Sequence, residues 1–325
     1  MFPFNLFIKK HIVIKLKIMS SYLTVILYNG LCNRLLPIVS ALRLAKKCNK
    51  KTNIVWTYTP QRSCLSYFGD FCKFQDLFLP IDNMFVELDV KEYEKVYEFY
   101  YWLNSDLVVD INIKGNININ YALYPIICNE DDSEVFKNFK QTLNLSGELT
   151  FDQVGEEIAD EMKKSIIPIP ELKNEINNCV KNFLSEMIGI HIRKSDGGFK
   201  EYDWASIIKK LIRNCKEWTN SRNNRGIFLA TDDQDVYIEF ASKLGSKLIF
   251  YNPPDKLCNC VSSSKFNNDK YNVLTAVVEM YLLGKCNKMI IGTVDSTFSI
   301  CGMLLAENDV IKYLVNTEES VPEFK

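Results

Sequence analysis

Residues 24–58 read TVILYNGLCNRLLPIVSALRLAKKCNKKTNIVWTY, and this stretch decides the fold. TVILY (24–28) is an apolar run of strand length, ended by the turn residues Asn29 and Gly30. LLPIVSALRLAKKC (35–48) then repeats its apolar residues at helical spacing, with Lys46 and Lys47 where they suit a helix C-terminus. TNIVWTY (52–58) predicts a second strand. A strand, a loop, a helix and a strand in this order open a doubly wound α/β sheet.

The same rhythm returns later. ELKNEINNCVKNFL (171–184) is amphipathic, and MIGIHI (187–192) reads as a buried strand. Helix and strand then alternate through WASIIKKLIRNCKEW (204–218), GIFLAT (226–231), QDVYIEFASKLG (234–245) and KLIFY (247–251). They continue through YNVLTAVVEMYLLGKC (271–286), KMIIG (288–292), STFSICGMLLAE (296–307) and VIKYLV (310–315). Alternation of this length predicts a second parallel sheet covered on both faces. Between the two halves the pattern is weaker. FQDLF (74–78) suggests a helical turn, VYEFYYWL (96–103), LVVDINI (107–113) and ININYALY (117–124) suggest strands, and SEVFKNFKQTL (133–143) a helix. Pro168 and Pro170 mark a break. The expected division is an extension over 1–20, an N-terminal domain over 21–167 and a C-terminal domain over 168–325.

Composition narrows the function. A length of 325 residues allows two domains, and 47% hydrophobic with 24% charged residues is globular. A net charge of −1 gives no electrostatic footprint for nucleic acid. Eleven cysteines, mostly single and in apolar runs, predict reduced thiols and a cytoplasmic chain. Cys258 and Cys260 have no second pair or histidine nearby, so a zinc site is not expected. Residues 1–20 carry lysines within the apolar run, which fits neither a spanning helix nor a signal peptide. They read as an extension, with Met19 an alternative start, or as a weak peripheral membrane contact.

In an open parallel sheet the ligand meets the carboxyl ends of the strands. His191 and Arg193 end one buried strand, and a guanidinium offers a planar fork for phosphate. An interdomain salt bridge and a satisfied core imidazole are the structural alternatives for these two. GTVDSTF (292–298) precedes an apolar helix, so Asp295, Ser296 and Thr297 sit at a helix N-terminus that attracts anions or is simply capped. Gly30 lets backbone approach a ligand, and Asn33 or Arg34 could reach a phosphate. No G-x-G-x-x-G is present, which disfavours NAD. Asp233 and Asp235 form an Asp-x-Asp at a strand end. That is a divalent-metal pattern, but with Asp232 it also fits a helix start, which is the favoured reading. Glu279 interrupts an apolar helix and could pair with guanine N1 and N2, or lie at the stripe's edge.

GLCNRL (30–35), HIRKSD (191–196), FLATDD (228–233), VVEMYLLGKCNKMIIG (277–292) and DSTFS (295–299), in this order, resemble the fucosyltransferase superfamily that carries an H-x-R phosphate motif. This superfamily includes α1,6-, nodulation and protein O-fucosyltransferases. The resemblance spans about Tyr22 to Ala306 and leaves the middle section unmatched. It implies a GT-B-like fold of two Rossmann-like domains facing a central cleft, and inverting transfer from GDP-fucose without a metal or other cofactor. The acceptor would be a glycan or glycoprotein. It further implies that Arg193 holds the β-phosphate, His191 sits by the guanine, Glu279 reads guanine, and Ser296 and Thr297 form the phosphate turn. Asn33 would close on the donor, and Glu201, ten residues after the histidine, would be the base with Asp196 as second choice. The chain departs from the α1,6 pattern at Lys194, where a second arginine is usual, and at Glu279, where aspartate is common.

Overall fold

A computed structural model describes residues 22–27, 30–58, 72–81, 85–89, 108–109, 117–120, 127–128, 146–151, 153–194, 202–252 and 270–324. The chain divides into two units: one of residues 1–76 and 80–131, the other of 77–79 and 132–325.

In the first unit, strand β1 (Tyr22–Leu27) runs parallel to β2 (Lys51–Tyr58), in register from Tyr22 opposite Lys51 to Leu27 opposite Trp56. Helix α1 (Leu31–Lys47) connects them and is buried at nearly every position up to Ala45, so it is a core helix rather than a surface one. Pro37 lies inside it and has no N–H to return to the carbonyl of Asn33. Strands β3 (Phe85–Asp89) and β5 (Ile117–Asn120) complete a parallel four-stranded sheet of order β3-β2-β1-β5. Strands β4 (Val108–Val109) and β6 (Ile127–Cys128) pair separately.

The second unit carries a six-stranded sheet. Its strands are β7 (Gly147–Glu148), β8 (Glu186–Ile192), β9 (Arg225–Thr231), β10 (Leu248–Ile249), β11 (Met289–Thr293) and β12 (Ile311–Val315). Their order is β10-β9-β8-β11-β12-β7, parallel except for β7 at the edge. Within β8 to β12 this is the 3-2-1-4-5 order of a doubly wound nucleotide-binding sheet, and the order reverses between β8 and β11. Among the described residues the helices that connect or precede these strands are α2 (Gln153–Ser165), α3 (Pro170–Val180), α4 (Trp204–Ser221), α5 (Gln234–Leu244), α6 (Lys270–Gly284) and α7 (Thr297–Leu305). The strand pattern explains why both faces are covered. Ile188, Ile190 and Ile192 pack with Ile207, Leu211 and Phe240 of α4 and α5. The alternate residues Gly189 and His191 meet Leu283 of α6 and Ser299 of α7. Gly245 ends α5 at φ 51°, a conformation that favours glycine. Among the described residues no helix is long and apolar enough to cross a membrane.

The α/β class with two parallel-sheet units is the one expected. The boundary differs. It was expected near Pro168, but the second unit begins near residue 132. Strand β7 pairs with β12, and helix α2 (Gln153–Ser165) packs on α7 through the second unit. Residues Leu77–Leu79 also join this unit. The amide of Leu79 donates to Ile167 O (2.8 Å), and that of Ile169 to Leu77 O (3.0 Å). Prolines at 168 and 170 therefore mark a bridge and a helix start rather than a domain break. Strand β3 and helix α2 were not anticipated. Among the described residues, KLIFY contributes the strand Leu248–Ile249, LVVDINI contributes Val108–Val109 and ININYALY contributes Ile117–Asn120. VYEFYYWL, SEVFKNFKQTL and residues 1–20 lie outside the described residues.

Candidate functional site

The order reversal brings the ends of β8 and β11 side by side. Their parallel pairing runs from Met289 opposite Ile188 to Ile291 opposite Ile190. Past that point a side chain takes over. Thr293 Oγ1, fully buried, accepts the Arg193 amide (3.1 Å) and donates to His191 O (3.2 Å). The backbone carrying Arg193 is thereby fixed to β11, and Arg193 itself is half-buried.

His191 is buried, and its Nδ1 lies 2.7 Å from Ser299 Oγ in the first turn of α7. The Phe298 ring lies beside it, with centroids 4.5 Å apart. Burial, and secondarily the Arg193 charge, push the imidazole down to about 3, so it is neutral over the physiological range.

The turn into α7 is tight. The Ser296 amide bonds Thr293 O (3.3 Å), and Asp295 takes φ 60°, left-handed and uncommon for a residue with a side chain. Partial burial raises the Asp295 carboxyl above its ordinary value. Ser296 stands at the cap position, yet its side chain caps nothing. Its Oγ is buried, and among the described residues it has no hydrogen-bond partner. The helix itself does not use the amides of Thr297, Phe298 and Ser299. A buried hydroxyl, a helix N-terminus and a guanidinium-bearing strand end thus share the switch point. Such an arrangement suits a multiply charged anion.

On the other side of β8, the Lys194 amide donates to Asp232 Oδ1 (2.9 Å) and its Nζ pairs with Asp233 Oδ2 (3.1 Å). Asp233 caps α5, accepting the amides of Asp235 and Val236 (3.0 Å each). Burial works to raise the Asp233 carboxyl, but the Val236 amide and the Lys194 ammonium outweigh it and hold it below its ordinary value. Its oxygens are already engaged, as the helix-start reading expects. Glu279, on α6, is half-buried. Burial, then the negative charge of Asp232, push its carboxyl up to about 8.

Thus His191, Arg193, Asp232, Glu279, Asp295, Ser296 and Thr297 all belong to the second unit, around the carboxyl ends of its central strands. Gly30, Asn33 and Arg34 belong to the first. Gly30 caps α1 at φ −65°, and a Cβ there would meet nothing within 4 Å, so its local geometry does not demand glycine. Arg34 is fully buried, its guanidinium 4.6 Å from the Trp56 ring centroid. Glu201 and Asp196 lie outside the described residues. Thr293 lies within GTVDSTF (292–298) and Ser299 within DSTFS (295–299), but nothing in the sequence pointed to a partner for either. A hydroxyl that bonds across 100 or more positions leaves no local pattern.

No protein-family model matches the chain, and no curated protein matches it by sequence. Solved structures do. Fucosyltransferase NodZ from Bradyrhizobium is 15% identical, with 89% of this chain and 94% of that chain covered, at a TM-score of 0.55. A mutant of Arabidopsis thaliana FUT1 in complex with GDP is 13% identical, with 91% and 70% covered, at a TM-score of 0.52. At these identities the likeness is one of fold, and the fold is the one the sequence motifs implied.

Proposed function

We propose that this chain is a glycosyltransferase that moves fucose from GDP-fucose to a glycan or glycoprotein hydroxyl, with inversion and without a metal. The observation that carries the reading is the switch point. Arg193 follows β8, tied through Thr293 to β11, beside an α7 N-terminus whose buried Ser296 hydroxyl has no hydrogen-bond partner among the described residues. The fold likeness to NodZ and to FUT1, the latter solved with GDP, supports the same reading.

In the proposed reaction an acceptor hydroxyl attacks the anomeric carbon as the bond to the β-phosphate oxygen breaks. Its proton passes to Glu201, or to Asp196. Charge accumulates on the departing diphosphate, where Arg193 and the first turn of α7 stabilise it. His191 and Glu279 bind the guanine, and Asn33 contacts the donor. Asp233 remains a helix cap, so transfer should persist in EDTA.

Arg193→Ala tests the reading. Transfer from GDP-fucose should fall on the order of 10²–10³-fold with the fold intact, as for loss of one electrostatic donor. Near-native turnover in that variant sinks the assignment. A thermal-shift comparison should show stabilisation by GDP over UDP and ADP.

A further inference from the structure

We propose that Ser299 is a positioning residue that holds His191 as the Nε2–H tautomer, so that the imidazole meets the nucleotide as a neutral donor rather than an acceptor. The argument starts from hydrogen-bond completeness. Ser299 is fully buried, and among the described residues the partner of its Oγ is His191 Nδ1 at 2.7 Å. Two arrangements fit that distance. If Nδ1 carried the proton, it would donate to Oγ, and the serine hydrogen would be left buried without an acceptor. If the serine donates, both groups are satisfied and the ring proton lies on Nε2. A stranded buried donor is costly, so the second arrangement wins.

The surroundings enforce it. Burial keeps the ring neutral, which makes the tautomer a real choice. Phe298 lies along the ring at 4.5 Å between centroids. Gly292 of β11 makes room for the serine: a Cβ there would lie 2.4 Å from Ser299 Cβ and 2.6 Å from its Oγ. The close approach of α7 to β11 thus exists only because residue 292 has no side chain. Nε2–H then offers a single donor, which fits a carbonyl, ring-nitrogen or phosphate acceptor on the ligand and rejects a donor at the same place.

The test is ¹⁵N NMR of the histidine-labelled full chain. Its two histidines are separated by a His11→Gln variant. The wild type should show a protonated Nε2 and an unprotonated Nδ1 at His191, unchanged from pH 5 to 8. In Ser299→Ala the two nitrogens should move toward a tautomer average, and GDP affinity should weaken about 3- to 10-fold, KM rising with little change in kcat. Gly292→Ala should shift the same resonances by displacing the serine. A wild-type proton on Nδ1, or a Ser299→Ala spectrum identical to wild type, overturns the proposal. The wild-type spectrum decides even if both variants fail to fold. The affinity arm rests on the GDP-sugar reading above and the spectrum does not. Failure of the wild type to bind GDP would therefore refute that reading and leave the tautomer assignment standing.

Discussion

His191 and Glu279 carry opposite protonation penalties, and their opposition shapes stability with pH. His191 is held down at about 3 against an ordinary 6.5, so below pH ~6.5 the unfolded chain takes a proton that the folded chain refuses. Stability then falls as pH falls. Glu279 is held up at about 8 against an ordinary 4.5, so above ~4.5 the folded chain keeps a proton that the unfolded chain releases. Stability then falls as pH rises, until about 8. Between ~4.5 and ~6.5 the two slopes cancel. Outside that window each acts alone, with a limit of about 1.4 kcal/mol per pH unit. Chemical denaturation checks both. The stability of Glu279→Gln relative to wild type should rise by ~1–3 kcal/mol from pH 5 to pH 8.5. A constant difference would mean that Glu279 is ionised throughout. His191→Gln should lose less stability than wild type between pH 5.5 and 3.5, and equal losses would contradict a buried neutral ring. If Glu279 accepts guanine N–H groups as a carboxylate, GDP affinity should also rise with pH through about 8, with proton release on binding.

Helices α6 and α7 pack against each other. They approach so closely that a Cβ at Gly284 would lie 2.7 Å from Leu305 Cβ and 3.2 Å from Gly302 O. The second neighbour is backbone and cannot rotate away. Gly284→Ala should therefore cost ~1–3 kcal/mol by overpacking, despite alanine's better helix propensity. Urea midpoints check this, and a stabilised variant would show that the two helices have room to part. The same packing seats α7 with its N-terminus at the β8–β11 switch point. Helix α5 is placed differently, through Asp233, whose carboxylate caps it while pairing with Lys194. A single aspartate thus joins a helix start to the strand end that carries Arg193.

At the scale of the molecule, Leu77–Leu79 lie within the first unit's span of sequence but pack with the second. Phe78, fully buried, bridges Pro168. Phe78→Ala should cost ~3–5 kcal/mol and lower hydrogen-exchange protection in β8 and β11 before that of β1 and β2. Loss confined to β1 and β2 would show that the segment serves the first unit instead.

Much of this was legible in sequence because it is local. Apolar runs of strand length alternating with helical periodicity were enough for a parallel α/β sheet, since side-chain period and element length are written within a dozen residues. The motif residues Arg193, Glu279 and Ser296 stood out for a related reason: each breaks its surroundings as a charge or a hydroxyl at the end of an apolar run, or within one. The domain boundary did not stand out, because prolines at 168 and 170 read alike as a linker or as a bridge and helix start. Only the packing of α2 and Leu77–Leu79 chose between them. The hydroxyl of Ser299 was equally silent. Its meaning comes from a nitrogen 108 residues away, and a hydrogen bond across that separation exists only once the sheet has brought its ends together.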